Sequence, residues 1–456
     1  MYQNNCASRT TFRTSVDIAV LGGGWAGVLY GLECKLIYPH ANITILEKHE
    51  AIGGLLRSTI INGHVFDIGG SHIIFSRNEA ILAKMLKILG NDIYELKRKS
   101  LIMLSRQYIQ YPLENNLNVL PLEERINALI SFLESWITRT DDHIPQNLSE
   151  WIYGFFGRWF AERYLVPYNL KIWKRSLEEI DVDWVYTPGR LPIPDWRDVV
   201  KSAMGQPTTG YVEQSKFYYP RHGGIQKLFD NAINKAIESG VQYIRGCKIT
   251  SIKRTRYGWL INNEMHAKKL VSSIPLNELV RLIESPEHII KLSNQLDYNK
   301  VLIVGLAIDK PAPEQHWVYV PMSDIVFHRY AWISNYSPFN APPNRSTLIA
   351  EITIHPNQPV NAEKYVEETL NGLEKTEVVE SKKVLFTRYW LHEYGYPVHT
   401  IMSNKARNQI IRWLLEQDII LIGRWGNWQY WNMDKVYENV LTTLERGFKT
   451  KSNNAG

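Results

Sequence analysis

Cysteine is scarce in this sequence. Cys6, Cys34 and Cys247 are spread over 456 residues and show no metal-ligand spacing. That argues against a disulfide framework and for a reducing compartment. Long apolar runs are missing too: none approaches the roughly 20 residues needed to span a bilayer. The opening residues, MYQNNCASRTTFRTS, are polar, so no signal peptide is expected. The chain should be soluble and cytoplasmic. Charge of one sign is in short supply, with 52 Lys+Arg against 46 Asp+Glu and a net charge of +6. This mild excess does not point to nucleic acid. It suits a small anionic substrate and ordinary solubility equally well. No metal-ligating cluster, close carboxylate pair or Ser-His-Asp arrangement stands out, which directs the chemistry toward a cofactor.

What is present is a globular composition, 45% hydrophobic and 21% charged, over a length that calls for two or three structural units. Residues 16–22 (VDIAVLG) form a short β-rich run. A glycine cluster, the helical AGVLYGLECKLI and a second strand, NITILEK, come next. Strand, glycine turn, helix and strand make the βαβ unit of a parallel sheet. EAILAKMLKILG reads as an amphipathic helix with a glycine stop. From about 120 to 185 the spacing is helical, in EERINALISFLESWI and LSEWIYGFFGRWFAERYL. A run of strands follows, VLIVGLAID, HWVYVP, YAWISNYS, LIAEITI and VLFTRYWL, best read as antiparallel. IIRWLLEQDIILIGRWG then returns to helix, strand and glycine.

Gly22, Gly24 and Gly27 form G-x-G-x-x-G between the first strand and helix. The first glycine permits a tight turn, the second lets the backbone approach a pyrophosphate, and the third lets helix and strand pack closely. The helix N-terminus offers free N–H groups and a positive dipole end to phosphate. Glu47 lies 20 residues beyond Gly27, at the end of the next strand, where an acid can accept ribose hydroxyls and disfavours a 2′-phosphate. A second string, Gly53-Gly54-Leu55-Leu56-Arg57-Ser58, resembles the GG-x-x-R-S element of the amine oxidase, protoporphyrinogen oxidase and phytoene desaturase superfamily. The resemblance selects FAD over NAD and puts Arg57 near the flavin pyrophosphate.

Three further strings narrow the family. Residues 66–76 (FDIGGSHIIFS), 334–340 (SNYSPFN, preceded by Arg329) and 423–430 (GRWGNWQY, with Asn432 and Asp434 after it) resemble segments of UDP-galactopyranose mutases, the eukaryotic type above all. Weaker matches begin at Tyr111, Pro167, Tyr219 and Tyr394, in the mutase order along nearly the whole chain. The residue types suit a sugar nucleotide on chemical grounds: arginines clamp diphosphate through planar forked donors, while tyrosines donate to phosphate and stack on a base.

The resemblance implies an α/β fold, with a discontinuous Rossmann-like FAD-binding domain, a helical insertion and an antiparallel β-sheet domain. The expected divisions are 15–100, 215–290 and 410–447 for the FAD-binding domain, 115–205 for the insertion and 295–400 for the substrate sheet. It implies His72 over the flavin ring, Arg424 between substrate and flavin, and Arg329 with the tyrosines on the diphosphate. His72, Arg329 and Arg424 are the catalytic candidates. Cofactor contacts would be Gly22, Gly24, Gly27, Glu47, Gly54, Arg57, Gly423, Asn432 and Met433. Substrate contacts would be Tyr111, Asn169, Trp173, Arg190, Gln214, Tyr319, Arg329, Tyr396 and Tyr430, with Asn169 and Trp173 on the uridine side.

The implied reaction interconverts UDP-galactopyranose and UDP-galactofuranose, with reduced flavin N5 as nucleophile on the anomeric carbon and no net redox change. NADPH or NADH is the candidate reductant, cell-surface glycan biosynthesis the implied process, and an oligomer is compatible with it. The sequence departs from the mutase pattern in four places. Ser71 intervenes between Gly70 and His72, Arg190 stands later than the mutase arginine, Gln214 replaces an expected asparagine, and Asn432 follows Tyr430 closely. Two other readings remain open: an FAD-dependent oxidoreductase of the amine oxidase type, and a flavin-free binder resembling Rab GDP-dissociation inhibitors. The arginine–tyrosine set argues against the first, and the glycine triplet with Glu47 and Arg57 against the second.

Overall fold

The computed structural model describes residues 14–139, 144–185, 193–208 and 215–452. The chain opens on β1 (Thr14–Leu21), α1 (Trp25–Ile37) and β2 (Ile43–Leu46), then a hairpin, β3 (Ser58–Ile61) and β4 (His64–Asp67), and α2 (Glu79–Leu89). β5 (Ile93–Lys97), β6 (Ser100–Leu104) and β7 (Gln107–Gln110) lead into a helical segment of α3 (Leu122–Thr138), α4 (Leu148–Phe160), α5 (Val166–Trp173) and α6 (Trp196–Ala203). β8 (Lys216–Pro220), α7 (Gln226–Glu238), β9 (Gln242–Ile244), β10 (Ile252–Thr255), β11 (Gly258–Ile261) and β12 (Met265–Ser272) come next. Beyond them lie α8 (Leu276–Leu282), α9 (Glu287–Ser293), β13 (Asp297–Ile308), β14 (Trp317–Tyr319), β15 (Arg329–Trp332) and β16 (Ser346–Ile354). The chain closes with α10 (Ala362–Lys375), β17 (Val384–Val398), α11 (Ile401–Glu416), β18 (Ile419–Leu421), α12 (Gly423–Gly426) and α13 (Met433–Ser452).

Two seven-stranded sheets organise the described residues. In the first, β10-β11-β12-β1-β2-β9, the strands β12, β1, β2 and β9 are parallel, and β18 pairs with the end of β12. It draws strands from three separate stretches of chain. β2 is largely apolar and buried throughout, and β1 is apolar and buried from Ile18 to Leu21, as parallel strands covered on both faces must be. α1 and α7 pack on this sheet with α2 and α13, in one core that includes Val20, Leu29, Phe229 and Val440.

The second sheet runs β17-β13-β16-β15-β14-β6-β7. All its pairs are antiparallel except β14 with β6. The expected sheet over 295–400 is thus extended by 100–110, two strands from the first third of the chain, and it carries a helix, α10, between β16 and β17. The whole of β16 and nearly all of β13 is buried. The helical segment has its own core, with Phe132, Trp151, Phe160 and Trp173 fully buried. Among the described residues no helix is long and apolar enough to cross a membrane, and no group of three His, Cys, Asp or Glu could hold a metal.

Candidate functional site

A cavity of about 1000 Å³ takes its walls from both sheets and from the helical segment. One wall follows β1. Gly22 has φ +92°, a conformation that L side chains rarely adopt. A Cβ on Gly27 would lie 2.0 Å from the Gly22 carbonyl oxygen, so the third glycine is required by packing. Gly24 caps α1 without a side-chain hydrogen bond, no acidic residue stands in the first helical turn, and a Cβ there would meet nothing within 4 Å. The first-turn N–H groups of α1 therefore lack a side-chain acceptor and adjoin open space, which fits a pyrophosphate.

Glu47, one residue past β2, accepts the Gly23 N–H at Oε2 and the His49 N–H at Oε1, both at 2.9 Å. Its carboxylate is thereby fixed at the cavity edge. Arg57 bonds the Gly54 carbonyl at 3.2 Å, and burial holds its pKa down against the opposing charge of Glu47. Gly54, Asn432 and Met433 also line the cavity. Gly27 and Gly423 are not among the lining residues. Gly423, with φ +75°, packs against α1 instead: a Cβ on it would sit 2.5 Å from the Ala26 Cβ.

Strand register builds the other wall. Tyr319 on β14 pairs with Arg329 on β15, and Arg329 pairs with Glu351 on β16. Directly opposed residues share a sheet face, so the three side chains form one row. Arg329 grips Glu351 with Nη2 at 2.7 Å from both oxygens and Nε at 3.1 Å. Burial alone would raise the Glu351 pKa, but the Arg329 charge brings it below the usual carboxylate value. Burial likewise lowers that of Arg329, and Glu351 overrides it upward. The pair is a charge-assisted fork in a low-dielectric wall.

Tyr111 and Tyr168 pack around Tyr319, the first tilted at 48° with ring centroids 5.3 Å apart and the second edge-to-face at 5.5 Å. Arg98 lies 4.5 Å over the Tyr111 ring. Tyr396 and Tyr430 are 5.1 Å apart, and Tyr430 meets Trp173 at 5.6 Å. Arg424 stands 5.2 Å over Tyr430 and donates to the Trp431 carbonyl at 2.6 and 2.9 Å. Asn169 and Trp173 bond each other at 3.1 Å, and the Asn169 amide also reaches the Leu165 carbonyl.

His72 is half-buried in the cavity wall, with Nδ1 2.8 Å from the Gly70 carbonyl. A carbonyl only accepts, so Nδ1 carries the proton and Nε2 keeps its lone pair. Burial pushes the His72 pKa down to about 4, helped by the Arg424 charge and opposed by Glu351. The ring is neutral at physiological pH.

The cavity thus brings together His72, Arg329, Arg424, Tyr111, Tyr319, Tyr396, Tyr430, Asn169 and Trp173 with Gly22, Gly24, Glu47, Gly54, Arg57, Asn432 and Met433. Arg190 and Gln214 lie outside the described residues. Among the lining residues that the sequence did not single out, Tyr164, Tyr168 and Glu351 stand beside the arginine–tyrosine set. Tyr168 sits inside the weakly matching string at Pro167. Glu351 carried a signal, a lone acid in the apolar run LIAEITI, but its partner can be identified only from register.

Comparison with known proteins agrees with this architecture. Residues 20–89 match the family model of the NAD(P)-binding Rossmann-like domain. The carotenoid 3,4-desaturase of Haloarcula japonica is 22% identical over 265 residues, 54% of this chain and 52% of the desaturase. The match therefore spans about half the length of that relative. Among solved structures, a reduced UDP-galactopyranose mutase superposes with a TM-score of 0.85 at 22% identity, over 94% of this chain and 93% of the other. A fatty acid isomerase from P. acnes gives a TM-score of 0.64 at 15% identity, over 94% and 98%. Cyclohexylamine oxidase from Brevibacterium oxydans IH-35A gives 0.62 at 12%, over 94% and 99%. These likenesses establish the fold, one that carries several chemistries.

Proposed function

We propose that this cavity binds FAD along the glycine wall and a sugar nucleotide along the arginine–tyrosine wall, and that the protein is a flavin-dependent UDP-galactopyranose mutase. The supporting observation is that one continuous cavity is lined by both sets of residues. The likeness in fold to a UDP-galactopyranose mutase points the same way.

Bound FAD in its reduced form would supply a nucleophilic centre for the anomeric carbon, with no net redox change, and NADPH or NADH is the proposed reductant. The chain's own residues bind and orient. The first turn of α1 and Arg57 hold pyrophosphate, and Glu47 accepts from ribose. Arg329 and Arg424 oppose the charge of the substrate diphosphate as UDP leaves. Burial raises the hydroxyl pKa values of Tyr168 and Tyr396 well above the ordinary value, so both stay neutral; Tyr168 can donate to phosphate, while Tyr396 donates to Glu351 at 3.2 Å. His72 offers a lone pair at Nε2 and takes no positive charge. An amine oxidase reading shares the fold, but a cationic amine would meet two arginines in this wall, an arrangement that disfavours it.

The test is to incubate the dithionite-reduced protein with UDP-galactofuranose and look for UDP-galactopyranose. Conversion is expected without any electron acceptor, and only after reduction. Conversion by the oxidised protein, or none by the reduced one, overturns the reading.

A further inference from the structure

Glu351 is an unexpected group in a cleft for an anion. It is 1% exposed and belongs to the cavity wall, yet its charge has the sign of the proposed ligand. Three separate parts of the chain converge on it. Arg329 on β15 provides the fork described above, Tyr396 on β17 donates its hydroxyl to Oε2 at 3.2 Å, and the Ser71 N–H donates to Oε1 at 3.0 Å. Ser71 is the residue inserted before His72, and its Oγ accepts the Tyr336 hydroxyl at 3.2 Å. The preceding Gly70 has φ +108°, a Cβ added to it would lie 3.4 Å from the Glu351 carboxylate, and its carbonyl holds the His72 ring. The turn that orients His72 and the side chain that orients Arg329 therefore share one anchor.

An ion pair kept only for stability explains this poorly. Buried pairs are weak stabilisers against an apolar replacement, and nothing in such a role calls for placing the acid in the cavity wall. We propose that Glu351 is a positioning residue that locks Arg329, Tyr396 and the Gly70–His72 turn into a single arrangement, giving up part of the anion affinity to keep the reacting geometry. This inference rests on the reading of Arg329 as a diphosphate contact. Two effects of opposite sign follow. The carboxylate partly cancels the Arg329 charge, so its removal strengthens the pull on an anion. It also holds groups whose small displacement lowers turnover steeply.

The experiment uses the full flavin-loaded chain and the variants Glu351→Gln and Glu351→Asp, measuring UDP affinity by calorimetry, turnover on UDP-galactofuranose and Tm. Glu351→Gln should bind UDP roughly 3- to 30-fold tighter while turnover falls about tenfold or more. Glu351→Asp keeps the charge but loses the reach to Ser71, so turnover should fall with UDP affinity within about threefold of the parent. If the glutamine variant does not fold, the aspartate variant decides. Turnover within twofold of the parent in either variant overturns the proposal, as does a parallel loss of affinity and turnover in step with Tm. A parent chain that binds UDP but does not convert UDP-galactofuranose overturns the mutase reading alone, and the affinity shift of Glu351→Gln then decides for or against the anchor. A parent chain that does not bind UDP overturns both.

Discussion

The two walls of the cleft are built by different means. The glycine wall is mostly backbone: a glycine turn, the first turn of a helix and one acid held by two N–H groups, nearly all within the span from Gly22 to Arg57. The opposite wall is mostly side chain, assembled from β14, β15, β16, β17, α5 and the turn after β4. A backbone wall tolerates few residue types, because a single added carbon obstructs it. A side-chain wall tolerates change at the cost of charge balance and register.

The largest expected effect breaks the first wall. Gly27→Ala places a methyl against a backbone oxygen that cannot move without deforming the turn. At a cost of about 3 kcal/mol or more, the variant should lose most of its flavin, read as absorbance per chain after purification. Retention of full flavin content would show that the turn is softer than its geometry implies.

Acid should act on the side-chain wall. Burial pushes His72 and His316 down to about 4 and His328 to about 3, from an ordinary value of 6.5. All three stand in or beside the side-chain wall. Below pH 6.5 the unfolded chain binds protons that the folded one refuses, so stability falls as pH drops from about 6.5 toward 4. Each tenfold difference in proton affinity between the folded and unfolded chain costs about 1.4 kcal/mol. Asp67, raised by burial to about 6, works the other way: its folded carboxyl protonates first, which returns some stability between about 6 and 3.8. Tm should therefore fall between about pH 6.5 and 4, and His328→Phe should flatten that dependence. A variant as acid-sensitive as the parent would show that His328 is not among the groups on which acid acts.

Arg329→Ala should weaken UDP binding roughly 10- to 1000-fold. It also strands the Glu351 carboxylate, which should lower stability by about 3–5 kcal/mol. Calorimetry and thermal melting read the two separately. Tyr319→Phe removes one hydroxyl and keeps the ring, so a loss of about 0.5–1.5 kcal/mol in UDP affinity is expected, with flavin content unchanged. Arg345→Ala cuts an exposed pair with Asp309 at 3.3 Å and should change neither property by more than about 0.5 kcal/mol. A comparable response to Arg329→Ala and Arg345→Ala would remove the special standing of the side-chain wall.

Much of the fold was legible in local pattern. The βαβ unit followed from apolar runs around a glycine triplet, and α2 from its amphipathic spacing between Asn78, which caps it, and Gly90. The strands over 295–400 were visible as apolar runs. Their partners were not: nothing local in Ser100–Gln110 says that it joins the far edge of that sheet through a parallel pairing with β14. The same division holds within the site. His72, Arg329 and Arg424 stand in strings specific enough to single out. Glu351 was passed over because a buried acid announces only that it needs a partner.

By itself the sequence determined the glycine turn, the acid at the end of β2 and the order of helices and strands, because each depends on backbone sterics or on periodicity within a dozen residues. Only the tertiary structure decided that Tyr319, Arg329 and Glu351 form one row, that Gly423 packs on α1 apart from the cavity lining, and that the residue inserted before His72 donates to Glu351. Those outcomes depend on strand register and on contacts between segments up to hundreds of residues apart. In a strand, a one-residue slip would turn every one of these side chains to the other face.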